Sequence, residues 1–375
     1  MKYLVFIFLA TSVSASFTDD VYQILAKEDS DKNIISSPLS LEIVMALLYM
    51  GSKGNTAKEL QTALKLPGDR KDVAKKYKDF FTNLHGREKV AILELANRIY
   101  VNDQISLVPE FNKIVADSFK AEAVPISVRN PTSAAATINS WVSGHTRNKI
   151  SKIVDPEHIN DGLSTILINA IYFKGEWQYK FNKAYTMKHI FRTSSNQELQ
   201  VDMMGPNKID IMANEFADLD AKVIELPYRN SSLSMQIFLP NRIDGLSKLE
   251  SQIGRFDRDL RRQTVIVQIP KFKIEFEKKL EEVLKKLGIQ SVFGNAADLR
   301  GMVSGKTKVS QVFHKAFLEV NEEGAEAAAV TGFNIVSKSL CLAKCEPMTF
   351  TADHPFAFLI RDEKTIYFQG HFVKP

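Results

Sequence analysis

Apolar residues recur along this chain with two periods, and the helical period dominates the first third. Residues 17–30, FTDDVYQILAKEDS, read as a helix with Thr18 as its candidate cap and with Asp19 and Asp20 favourable to the N-terminal dipole. Ser37-Pro38-Leu39-Ser40 opens a second helix carrying Ile43, Val44, Ala46, Leu47, Leu48 and Met50. Apolar residues around most of its circumference predict burial inside the domain. Gly51 and Gly54 end it, and Thr56 is read as the cap of an amphipathic segment with Leu60, Ala63 and Leu64. A further helix carries Ile138, Trp141 and Val142 and is expected to end near Lys149.

The later pattern favours strands. Residues 164–177, STILINAIYFKGEW, form an apolar run of the kind buried on both faces of a sheet, closed by Gly175. Residues 264–276, TVIVQIPKFKIEF, alternate, with Phe272, Ile274 and Phe276 on one side and Lys271, Lys273 and Glu275 on the other; this predicts one half-exposed strand. A short helix follows, striped by Leu280, Val283, Leu284 and Leu287 and stopped by Gly288. KAFLEVNEEG, HPFAFLIRD and TIYFQGHFV complete the chain as strands. Helices early and strands late, without regular βαβ alternation, indicate an α+β fold. With no linker-like stretch and no repeat, residues 16–375 are expected to form a single domain.

Residues 1–15 stand apart. Lys2, the apolar run from Tyr3 to Ala10 and the small residues that follow fit a secretory signal peptide cleaved after Ala15 or Ser16. A membrane anchor or buried strand is the alternative, but the run falls well short of the roughly 20 residues that span a bilayer. A secreted, extracellular protein with no membrane partner is therefore expected. Export makes the cysteine count notable: there are two, Cys341 and Cys345, so the core must hold without disulfides. A Cys341–Cys345 bond would close a very small loop and serve local shape. Asn230-Ser231-Ser232 is the single N-glycosylation sequon, since Asn130 precedes Pro131. A net charge of +5 on 375 residues does not suggest a nucleic-acid binder.

Enzyme signatures are missing. There is no G-x-S-x-G elbow, H-E-x-x-H pair, phosphate-cradling glycine loop or spaced Cys/His metal set, and Gly301-Met302-Val303-Ser304-Gly305 has the wrong spacing. No metal site, cofactor or catalytic residue is expected.

Seven stretches, in order, carry a resemblance: SSPLS (36–40), GSKGNTAKEL (51–60), INSWVSGHTRNKI (138–150), LINAIYFKGEW (167–177), IPKFKIEFEKKLEEVLKKLGI (269–289), FLEVNEEGAEAAA (317–329) and HPFAFLI (354–360). Together they resemble the serpin family of serine protease inhibitors, most of all secreted insect inhibitory serpins. The resemblance implies three β-sheets, about nine helices and an exposed reactive-centre loop, with hinge and loop at 322–345. By the same resemblance Ser37, Ser40, Asn169 and His314 belong to a polar cluster beneath the middle of the large sheet. Trp177 matches the aromatic residue near the top of that sheet, where the loop enters. Each also reads as a satisfied buried polar group or a core aromatic, and the two roles coincide.

Glu322-Glu323-Gly324-Ala325-Glu326-Ala327-Ala328-Ala329-Val330-Thr331 resembles the hinge of inhibitory serpins. A segment that slides into a sheet needs alternate residues that fit the core. Ala325, Ala327, Ala329, Thr331, Phe333 and Ile335 supply an uncharged face, Glu326 lies on the other, and Gly324 is a flexible pivot. AEAAA alone also suits a helix, but Gly324 before it and Val330 to Phe333 after it favour an extended strand. Family spacing from Glu322 places Lys338 before the cut bond and Ser339 after it, with Lys344 as rival. A surface lysine is the plainer account of Lys338. Lys in that position suits a trypsin-like serine protease, bound as a covalent 1:1 complex by a monomeric inhibitor, in an extracellular immune cascade by family analogy. A non-inhibitory carrier, chaperone or storage serpin is the alternative. Lys71, Lys75 and Lys78, at helical spacing with Arg70 and Lys76 alongside, resemble a sulfated-polysaccharide site, although Asp72 and Asp79 dilute them and a solvated helix face explains them as well.

Overall fold

The computed structural model describes residues 17–85, 91–193, 197–254, 256–325 and 346–375. Ser37 opens the central helix as the pattern requires. Its Oγ accepts the Ser40 N–H at 3.2 Å, and Pro38 occupies the first turn, where no N–H is needed. Among the described residues there are eight α-helices: α1 (Phe17–Glu28), α2 (Pro38–Gly51), α3 (Gly54–Leu64), α4 (Arg70–His85), α5 (Pro109–Phe119), α6 (Pro131–His145), α7 (Leu246–Ile253) and α8 (Glu281–Lys286).

Their strands form two hydrogen-bonded sheets. The six-stranded sheet runs β10 (Phe272–Lys279), β11 (Gln311–Val320), β4 (Thr165–Glu176), β2 (Ala91–Asn102), β3 (Glu122–Ile126), with the short β12 (Gly324–Ala325) against the end of β4. The nine-stranded sheet runs β1 (Ile34–Ser36), β15 (Ile366–Phe372), β14 (Phe356–Arg361), β8 (Ser234–Pro240), β7 (Ala221–Pro227), β6 (Glu198–Phe216), β9 (Arg261–Pro270), β13 (Met348–Thr351), with β5 (Met187–Arg192) also on β6. Three sheets were expected; the long β6 pairs β5 and the end of β9 before its register shift between Met204 and Asn207 and pairs β7 after it, so one network takes in strands of two parts.

The largest core lies between the sheets and holds α2, whose Leu41, Val44, Leu47 and Leu48 sit in one cluster with Leu167, Ile171 and Phe173 of β4 and Phe356 and Phe368. Helix α6 covers the opposite face of the six-stranded sheet through Ala134, Ala135, Ile138 and Val142. Burial of β4 on both faces follows, because its alternate residues feed these two cores.

Four local expectations change. Residues 264–276 are not one strand: the chain turns at Lys271, whose N–H bonds the Asp202 carbonyl, and β9 and β10 belong to different sheets. Thr18 lies within the first turn of α1 rather than before it. Thr56 sits inside α3, where its buried hydroxyl accepts the Asp298 N–H at 3.0 Å. Helix α6 stops at His145, because Arg147 and Asn148 adopt left-handed φ of 50° and 60°.

Candidate functional site

Strands β11 and β4 are parallel neighbours from Gln311 opposite Ile166 to Phe317 opposite Tyr172. Beyond that point they part, and β12 enters between them. Gly324 pairs with Glu176 and Ala325 with Gly175, antiparallel to β4. The chain reaches this position through a tight turn after β11. Asn321 and Gly324 exchange both backbone hydrogen bonds at 2.9 and 3.1 Å, leaving Glu322 and Glu323 at the corner.

Side chains fasten that corner. Trp177 lies flat on Tyr228, ring centroids 4.7 Å apart and planes at 9°, and its Nε1–H donates to the Asn321 carbonyl at 3.0 Å. The N–H groups of Trp177 and Phe181 bond the carbonyls of Glu323 and Glu322 at 2.8 and 2.9 Å. Glu322, almost fully buried, accepts from Thr186 Oγ1 at 2.9 Å and lies 3.3 Å from Lys271 Nζ. Burial pushes its carboxyl up, but its own backbone N–H, Thr186 and Lys271 outweigh that and hold it below the usual range. Glu323 meets Lys180 at 2.8 Å and Lys183 at 3.3 Å, and the Lys180 contact holds its carboxyl low.

A second polar site lies lower in the same sheet. Asn97, Asn169 and His314 occupy one rung across β2, β4 and β11. Asn169 Nδ2 donates to Ser40 Oγ and Asn97 Oδ1, both at 2.6 Å, and its Oδ1 lies 2.5 Å from His314 Nδ1. An amide that spends both N–H groups this way has only an acceptor left, so His314 Nδ1 carries the proton. Burial brings His314 down to about 4, so the ring is neutral at physiological pH. Of the residues named from sequence, Ser40, Asn169 and His314 are thus brought together. Ser37 instead caps α2. Asn97 was missed, although Leu93, Ile99 and Val101 share its inward face and a polar residue in that register was the available signal.

A parted pair of parallel strands holds Gly324 and Ala325, and the match of a family model to nearly the whole chain decides the identity. This chain belongs to the serpin family. The family model described as "Serpin (serine protease inhibitor)" matches residues 12–375. "Serine protease inhibitor 42Dd" of Drosophila melanogaster is 47% identical over the whole of both chains. "Antitrypsin" of Bombyx mori is 32% identical over 96% of this chain and 92% of its own. The solved structure of Serpin48 from Tenebrio molitor superposes with a TM-score of 0.88 at 36% identity over 96% of each chain.

Other expected positions of this serpin are less concentrated. The signal segment 1–15, the hinge positions Glu326, Ala327, Ala328, Ala329, Val330 and Thr331, the bait Lys338 and Ser339, the rival Lys344, and Cys341 and Cys345 lie outside the described residues. Asn230 is exposed in the turn between β7 and β8 at φ 49°. The basic residues of α4 do not act as one group: Arg70 caps the Met50 and Ser52 carbonyls, Lys76 pairs with Glu42, and Lys78 with Asp117. Among the described residues no three His, Cys, Asp or Glu side chains group as metal ligands, and no helix is long and apolar enough to cross a membrane.

Proposed function

We propose that this serpin is a secreted inhibitor that traps a trypsin-like serine protease through cleavage at Lys338–Ser339 and insertion of the loop as a new central strand. The observation that carries this reading is the pairing of Gly324 and Ala325 with β4. Continued one residue at a time, that antiparallel register sets Ala327 opposite Phe173, Ala329 opposite Ile171, Thr331 opposite Asn169 and Phe333 opposite Leu167. Residues directly opposite share a face. Phe173, Ile171 and Leu167 face the main core, so the uncharged side of the loop would enter it, while Glu326 would fall opposite Lys174 on the other side.

The chemistry is acyl transfer. The protease serine Oγ attacks the Lys338 carbonyl, its proton passes through the protease base to the amine of Ser339, and the peptide bond breaks to leave an ester. Insertion then competes with hydrolysis of that ester. Each residue inserted adds backbone hydrogen bonds worth about 0.5–1.5 kcal/mol net. In this reading the native fold is held kinetically: the inserted arrangement is lower in energy, and cutting the loop removes the barrier to it. The signal-like first fifteen residues support an extracellular role, and restraint of an immune cascade rests on family analogy alone.

Incubation with trypsin tests the reading. A 1:1 complex resistant to boiling in detergent, with a released fragment beginning at Ser339, is the expected result; a fragment beginning at Cys345 moves the bait to Lys344. Clean cleavage without a complex would mean a non-inhibitory carrier, chaperone or storage protein.

A further inference from the structure

We propose that Lys180 is a positioning residue for loop insertion, its ammonium group joining the turn that bears Glu323 to the end of β4 so that the incoming strand starts in one fixed register. The proposal rests on the insertion reading given above. The geometry is specific: Lys180 Nζ lies 2.8 Å from Glu323 Oε2 and 3.2 Å from Glu176 Oε2. Glu176 is the residue paired with Gly324, so one cation spans the first rung of the strand pair that insertion must extend.

Lys180 is also held in place. Its carbonyl accepts from Asn207 Nδ2 on β6 at 3.2 Å, and its neighbour Phe181 is buried and bonds the Glu322 carbonyl. The Lys180 side chain is 22% exposed and that of Glu323 12%, against 61% for Lys183, which makes Lys180 the better-shielded of the two partners. A contact of this kind outlasts the screening that cancels most surface pairs.

Register is what such a contact controls. A slip of one residue between β12 and β4 would turn the alanine face of the loop outward and drive Glu326 toward the main core. Strand addition, like other cooperative pairing, is limited by its first bonds, and here two residues are already paired before any cut. Lys180 supports that starting pair.

The sign of one measurement separates positioning from simple stabilisation. A residue that only stabilised the uncut fold would, on removal, lower the barrier and hasten insertion. Removal of a positioning residue slows it. The full chain carrying Lys180→Gln is nicked in the loop and the gain in heat stability is followed with time, in parallel with counting inhibitor molecules consumed per trypsin trapped. Expected is an insertion slower by about three- to ten-fold and a matching rise in inhibitor consumed, with Lys180→Arg close to wild type. Glu323→Gln should reproduce the effect, and the double variant should be no worse than either single one. Insertion at or above the wild-type rate in Lys180→Gln, or additive losses in the double variant, overturns the proposal. Failure of the wild type to trap trypsin sinks the inhibitory reading alone, because the nicking time course still reports on Lys180.

Discussion

Gly324 lies against Gly175 so closely that a Cβ on Gly324 would stand 2.1 Å from the Gly175 carbonyl oxygen, at a φ of 134° that side-chain-bearing residues rarely adopt. Gly175 in turn has no room for a Cβ, because the Tyr228 ring is 2.7 Å from where it would be. The two glycines let β12, the end of β4 and the Trp177–Tyr228 stack pack closely together. Gly324→Val should expel β12 from its seat at a cost of about 1–3 kcal/mol in local strain. The measurable result is a fall of at least about ten-fold in trapped protease, with cleavage of the variant at an undiminished rate; an unchanged yield would show that the seat is not needed.

The inserted face has its own requirement. In the proposed inserted strand, Ala329→Asp would put a carboxylate opposite Ile171, which is fully buried in the main core. An unpaired charge there costs several kcal/mol, more than the few hydrogen bonds gained at neighbouring rungs. The variant should be cleaved as a substrate, and cleavage should no longer raise its melting temperature.

His314 sets a pH dependence whose sign is fixed by burial. Its value of about 4 in the fold lies below the ordinary 6.5, so the unfolded chain binds the proton first. Stability from this group is complete above about pH 6.5 and is lost as pH falls toward 4, by about 3 kcal/mol in all. Urea midpoints measured across that window should decline in the wild type and decline less in His314→Gln. Equal slopes would place the acid sensitivity elsewhere.

Tyr228 separates shape from hydrogen bonding. Its hydroxyl is buried with no hydrogen-bond partner among the described residues, and burial holds its pKa well above the usual value. Tyr228→Phe should therefore leave the melting temperature unchanged or slightly raised. Tyr228→Ala removes the ring under Trp177 and should cost about 3–5 kcal/mol, with a shift in Trp177 fluorescence.

Several features were legible without coordinates because their causes are local. The apolar circumference of 38–51 meant a buried helix, Ser37 and Pro38 marked its start, and the unbroken apolar run of 165–176 meant a strand covered on both faces. The break at Lys271 was hidden, because the alternating pattern runs through it unchanged and only the two sheets that receive the flanking residues differ.

Contacts between distant residues were decided by tertiary structure alone. Asn97 joins Asn169 and His314 through the register of three strands, and Lys180 finds Glu323 across 143 positions of chain. Composition and periodicity report which face of an element is apolar; they carry no information on which rung of one strand meets which rung of another. That choice arises only when helices and sheets pack to native density around a shared core, and at the top of β4 it leaves the gap that β12 occupies.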